Sequence, residues 1–137
     1  MTDYLGSQAW RYELIRLLRK SATPPTVAAI NGRDQGLTAE QTAQRWGELG
    51  GVHKKQCRPI NVRMRWLDID NASDARVPPW PRRAHDIAFT LVQALHSLDA
   101  TPQFRRAGEA YYRRLYEVNP TKIRADWRDW KPRAHQR

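Results

Sequence analysis

The run from Arg82 to Leu98 constrains this chain most. Ala84, Ile87, Ala88, Leu91, Leu95 and Leu98 recur at three- and four-residue steps, with Val92 and Ala94 beside them. That period belongs to a helix with one wide apolar face, and such a face needs other elements to cover it. Two more segments carry matching stripes. Leu5, Ala9, Tyr12, Ile15 and Leu18 repeat over Asp3 to Lys20, and Trp10, Leu14 and Leu17 widen the face. Phe104, Ala107, Tyr111, Leu115 and Val118 repeat over Gln103 to Val118. Thr101 as N-cap and Pro102 at the first helical position open this helix, and Asn119-Pro120 closes it. The expected fold is all-α, a small bundle of about five helices.

The remaining segments are shorter. Pro24-Pro25 stops the first helix. Val27 to Ile30, followed by Asn31-Gly32, reads as a loop or one helical turn. Thr38 and Gln41 match a capping box, so a helix is expected from there to Trp46 or Leu49, ended by Gly50-Gly51. Ile60, Val62, Met64 and Trp66 alternate with Asn61, Arg63 and Arg65, the period of a strand, while Ile60, Met64 and Leu67 also sit at helical spacing. No other segment alternates to pair with a strand, so the helix is expected. Asp70 to Pro81 contains three prolines and reads as a linker. Thr121 is placed to cap a last helix carrying Ile123, Trp127 and Trp130 at i, i+4 and i+7. At 137 residues the chain is expected to be one domain, with N-terminal helices over 1–69, a linker at 70–81, C-terminal helices over 82–131 and a basic tail at 132–137.

Composition excludes several classes. No apolar run approaches the roughly 18 residues of a membrane span. The single cysteine, Cys57, allows no internal disulfide and suits a reducing compartment. The first residues lack the pattern of a secretion signal, so a cytoplasmic location is expected. Phosphate-binding glycine loops, nucleophile elbows and metalloprotease helices are absent from the sequence. His53 and Cys57 give two zinc ligands where about four are needed. Asp68 and Asp70 form a possible magnesium pair, but a polar linker explains them as well. His96, beside Leu95 and Leu98, reads as a core-edge histidine. Glu109 and Glu117 stand four residues after Arg105 and Arg113 and read as their salt-bridge partners. No catalytic residue, cofactor, metal or small-molecule substrate is expected.

The charge points to a polyanionic partner. The chain carries a formal +10, and 19 of its 24 basic residues are arginine, whose planar fork suits phosphate. The excess grows along the chain, from +1 over 1–50 to +3 over 51–100 and +6 over 101–137. Three groups are candidate nucleic-acid contacts. Lys54, Lys55, Arg58, Arg63 and Arg65 form a run without an acid. Arg82 and Arg83 sit at a helix N-terminus, against the preference of the helix dipole. Arg105, Arg106, Arg113 and Arg114 lie on the Gln103–Val118 helix, Arg106 and Arg113 sharing a face away from Phe104 and Tyr111. Tyr112 and Tyr116 are placed to stack a base there, or to pack in the core. Trp127 and Trp130 either anchor the chain end to the core or form a protein interface, where tryptophan is favoured.

The stretch Trp80 to His96 resembles a helix of the small subunit of CRISPR effector complexes, of the form H-x-A-x-T-L-x-A-L-H. Ala88, Thr90, Leu91, Ala94, Leu95 and His96 carry the likeness, with one extra residue in the spacing. The C-terminal part is shorter than in type I members and fits a compact version, as in type IV complexes. The resemblance implies a non-catalytic subunit present in several copies. These would line the backbone subunits of a ribonucleoprotein, with basic faces on RNA or DNA. Three rival readings use the same charge: a helix-turn-helix DNA-binding protein built on Leu37 to Lys55, a phage-type inhibitor or scaffold binding an acidic protein surface, and a subunit of a ribosome-like particle.

Overall fold

In a computed structural model, which describes residues 3–48 and 57–131, the described chain forms six α-helices and no strand. They are α1 (Gln8–Ser21), α2 (Pro24–Asp34), α3 (Ala39–Glu48), α4 (Pro59–Ser73), α5 (Pro81–Leu95) and α6 (Pro102–Val118), followed by a 3₁₀ turn at Trp127–Asp129. The apolar stripe of α5 lies at the centre, packed on α1, α4 and α6. Ala84, Ile87, Ala88, Leu91, Val92, Ala94 and Leu95 are all buried. A smaller core joins α2, α3 and α4 through Ala29, Ala39, Ala43, Trp46 and Val62.

Trp10 ties the main bundle together. Its buried indole stacks on Phe104 of α6, with ring centroids 4.4 Å apart, and its Nε1 donates to the Ala72 carbonyl of α4 at 2.9 Å. Gln93, fully buried on α5, accepts from the Thr23 backbone N–H at 2.7 Å and so holds the α1–α2 corner.

The local signals behave as expected at α3 and α6. Thr38 Oγ1 accepts from the Gln41 N–H while Gln41 Oε1 accepts from the Thr38 N–H, the reciprocal capping box. Thr101 Oγ1 caps the Phe104 N–H ahead of Pro102. α1 begins later than its apolar stripe, because Gly6 at φ +81° turns the chain before Ser7 caps the helix.

Five expectations need correction. Val27 to Ile30 is not a loop or a single turn; α2 is a full helix. The prolines that end α1 occupy its first turn, where a missing N–H costs nothing. Its C-terminus is a Schellman motif, with Leu37 N–H on Gly32 O and Gly36 N–H on Arg33 O, and Gly36 supplies the left-handed residue at φ +76°. The linker begins at Asp74 rather than residue 70, because α4 runs to Ser73. The Tyr111 hydroxyl donates to Asn71 O and Arg76 O and holds that end. α5 stops at Leu95, so Leu98 leaves the apolar stripe and is 96% exposed. No last helix forms from Thr121. Asn119 caps that turn, Asp126 caps the Arg128 N–H, and the 3₁₀ turn turns Trp127 and Trp130 inward. Trp127 and Trp130 are buried in the chain's own core and are not exposed interface anchors.

The end of α4 repeats the Schellman geometry with Ala75 in the left-handed position, at φ 57°. An alanine there carries strain that glycine lacks. Ala75→Gly should raise stability by about 0.5–1 kcal/mol in urea unfolding, after the larger unfolded-state entropy of glycine is subtracted.

Candidate nucleic-acid interface

The structure divides the eleven candidate basic residues into three groups. Lys54 and Lys55 lie outside the described residues, as does His53. Four arginines are engaged inside the chain. Arg83 reaches back from the first turn of α5 to Asp68 of α4, with Asp86 at 3.4 Å, and its side chain is largely buried. Arg105 donates to Ser97 O at 2.8 Å and to Leu95 O and Ala100 O at 3.3 Å, capping the open carbonyls beyond α5. Arg65 lies over the Trp46 ring and donates to Thr26 Oγ1 at 3.1 Å, and burial pushes its guanidinium below its ordinary pKa. Arg63 pairs with Glu40 of α3. Arg83, Arg65 and Arg105 therefore have partners within the chain, and Arg63 is paired with Glu40.

The third group is free. Arg58, Arg82, Arg106, Arg113 and Arg114 are exposed, and among the described residues none has a carboxylate within ion-pair distance. Three of them share α6. Arg106 and Arg113 lie seven residues apart, about 10 Å along the helix axis. Arg114 lies over the Tyr111 ring, 6.0 Å from its centroid. Neither expected pairing, Glu109 with Arg105 nor Glu117 with Arg113, occurs among the described residues. Glu109 accepts from Trp127 Nε1 at 3.1 Å and faces Arg128 at 3.6 Å.

The chain beyond α6 returns to that helix at Glu109 and Tyr112. Tyr112 is buried and not placed to stack a base; its hydroxyl donates to the Arg124 carbonyl and accepts from Trp130 Nε1 at 2.5 Å. Those bonds fasten Arg124 and Trp130 to one residue of α6, while Trp127 packs on His96 and Trp130 on His85 and Phe89 of α5. Arg113 then borders a shallow cleft of about 50 Å³ with Ala125 to Arg128, and its charge helps to lower the Asp126 pKa, after the hydrogen bonds from Arg128. Lys122 and Arg124 are exposed on this stretch. In the sequence only the +6 of the last third points to them.

The other candidate groups have local partners. Asp70 takes Arg33 at 2.7 and 2.9 Å, while Asp68 takes Arg83. No three His, Cys, Asp or Glu side chains come together among the described residues. His96 Nε2 lies 3.1 Å from Trp127 O, the core-edge placement expected of it. The exposed face of α3 carries Glu40 and Glu48 with Gln41, Gln44 and Arg45, and the basic segment that the helix-turn-helix reading places after it lies outside the described residues. No described helix is long and apolar enough to cross a membrane.

Asp68 predicts a pH dependence. Burial pushes its carboxyl up to about 6, although Arg83 pulls it down. Its pKa in the unfolded chain is about 3.9. Between these values the folded state binds more protons, so stability falls as pH rises through that window. The urea stability of wild type relative to Asp68→Asn should decline from about pH 4 to about pH 6 and level off above about pH 7. A difference that rises over that range would contradict burial as the dominant cause.

Comparison with protein-family models, with curated proteins and with solved structures finds no match, so the functional reading rests on these residues and their geometry.

Proposed function

We propose that this protein is a non-catalytic subunit of a ribonucleoprotein that grips nucleic-acid phosphates through the outer face of α6. The observation that carries the reading is Arg106 and Arg113, exposed on one side of the helix and outside every ion pair of the described residues. Arg114, Lys122 and Arg124 add charge along the same helix and the chain beyond it. Cations left unpaired in this way attract phosphate regardless of base sequence, because binding releases the counterions of the polyanion. Arg58 and Arg82 are further free cations away from α6. The resemblance of Trp80 to His96 to the small subunit of CRISPR effector complexes supports the same class of role. It adds the expectation of RNA or DNA, backbone subunits and further copies of the chain as partners.

Two measurements test this. The double variant Arg106→Glu, Arg113→Glu should weaken binding of a labelled oligonucleotide at least about tenfold at 0.1 M salt. It should also reduce the slope of log K against log salt by about 1.4 for a single strand, or about 1.8 for a duplex. An unchanged affinity and slope would remove this face from the reading. Native purification with and without nuclease should recover short RNA of uniform length together with one abundant protein. A clean monomer without nucleic acid would sink the ribonucleoprotein role.

A further inference from the structure

α4 differs from the other long helices in carrying apolar side chains on both sides. Val62, Ile69 and Ala72 are buried inward. Ile60, Met64 and Leu67, at i, i+4 and i+7, form a second stripe in which Ile60 is 54% and Leu67 45% exposed. The first turn of α5 crosses this stripe, with Arg83 Nη2 3.8 Å from Met64 Sδ and Nη1 on Asp68. Trp80 is the N-cap residue of that turn and is 67% exposed. It stands between Pro79 and Pro81, which restrict its backbone. Exposed apolar side chains at helical spacing, with an exposed tryptophan on the next helix, are the composition of an interface.

The charges around the patch say what covers it. Its carboxylates are engaged within the chain: Asp68 and Asp86 with Arg83, Asp70 with Arg33, and Glu40 with Arg63. Arg58, at the start of α4, and Arg82, beside Trp80, are exposed without a described carboxylate in reach. A second copy would offer this surface the same exposed arginines and the same internally engaged carboxylates. A nucleic-acid strand would match the cations and Trp80 but leave Ile60 and Leu67 facing phosphate or water. We infer that the α4 stripe and Trp80 form a docking surface for an acidic amphipathic helix of a partner protein. Its apolar side chains lie along Ile60, Met64 and Leu67, and its carboxylates face Arg58 and Arg82. Arg106 and Arg113 take no part in it.

The probe is a labelled synthetic peptide of about 18 residues, long enough to form a helix. It carries leucine at i, i+4 and i+7 repeats and glutamate elsewhere, and its lysine counterpart is the control. Anisotropy with the full chain should show saturable binding of the glutamate peptide and none of the lysine peptide. Ile60→Glu with Leu67→Glu, and separately Trp80→Ala, should weaken binding at least about tenfold. All three positions face solvent, and circular dichroism confirms that the variants fold. Arg106→Glu with Arg113→Glu should leave peptide binding unchanged even if that variant disposes of the nucleic-acid reading. Absence of glutamate-peptide binding, or binding indifferent to the Ile60 and Leu67 changes, overturns the inference. So does a wild-type dimer in sedimentation that Ile60→Glu with Leu67→Glu disperses, which would assign the surface to a second copy. An oligonucleotide affinity that falls in Trp80→Ala while peptide binding persists would assign it to nucleic acid.

Discussion

The rest of the bundle depends on how the Trp10 indole is buried. One ring meets Phe104 face to face, reaches Tyr111 edge-on at 6.4 Å, and satisfies its only polar atom on the Ala72 carbonyl. A buried indole that lacked a partner for its N–H would be costly, and here the partner is a carbonyl in the last turns of α4. Three helices that share few direct contacts are thereby referred to one side chain, and α5 fills the space between them. Tyr111 extends the arrangement by fastening the end of α4 and the following linker. Burial accordingly pushes the Tyr111 phenol pKa upward.

The arginines follow a different logic. In a chain with a large positive excess, some guanidinium groups serve the fold. Arg105 closes the carbonyls at the end of α5, Arg83 and Asp68 clamp α4 to α5, and Arg33 with Asp70 joins α2 to α4. A largely buried pair such as Arg83 with Asp68 gives orientation more surely than stability, because desolvation opposes the attraction. Burial accordingly holds the Asp68 carboxyl above its ordinary pKa even beside Arg83. What remains after these internal uses is Arg106, Arg113 and Arg114, exposed on α6 outside any described ion pair, and the separate cations Arg58 and Arg82. Function is argued from that residue of charge, not from the total.

The helices whose information is local were legible in advance. The stripe of α5, the capping box at Thr38 and the Thr101–Pro102 start of α6 each lie within a few residues, and each appears in the structure where the pattern put it. α4 was harder, since the alternation from Ile60 to Trp66 mimics a strand. It reflects a helix with apolar residues facing two ways. α2 was missed because its prolines look like breakers when their place in the first turn is not yet known. The spacing of Ile123, Trp127 and Trp130 fits an α-helix, but a short 3₁₀ turn after a capped loop brings both tryptophans inward as well.

By itself the sequence determined the helical class, the main caps, the central helix and the growth of positive charge toward the C-terminus. These depend on composition and on neighbours within one or two turns. Only the tertiary structure decided which arginines are free. Arg83 meets a carboxylate fifteen positions away and Arg33 one thirty-seven away, while Arg105 is claimed by carbonyls that appear only where α5 ends. The same holds for Tyr112, Trp127 and Trp130, which chain folding buries against one another. Ion pairs and buried hydrogen bonds form between residues brought together in space. No spacing rule along the chain announces them.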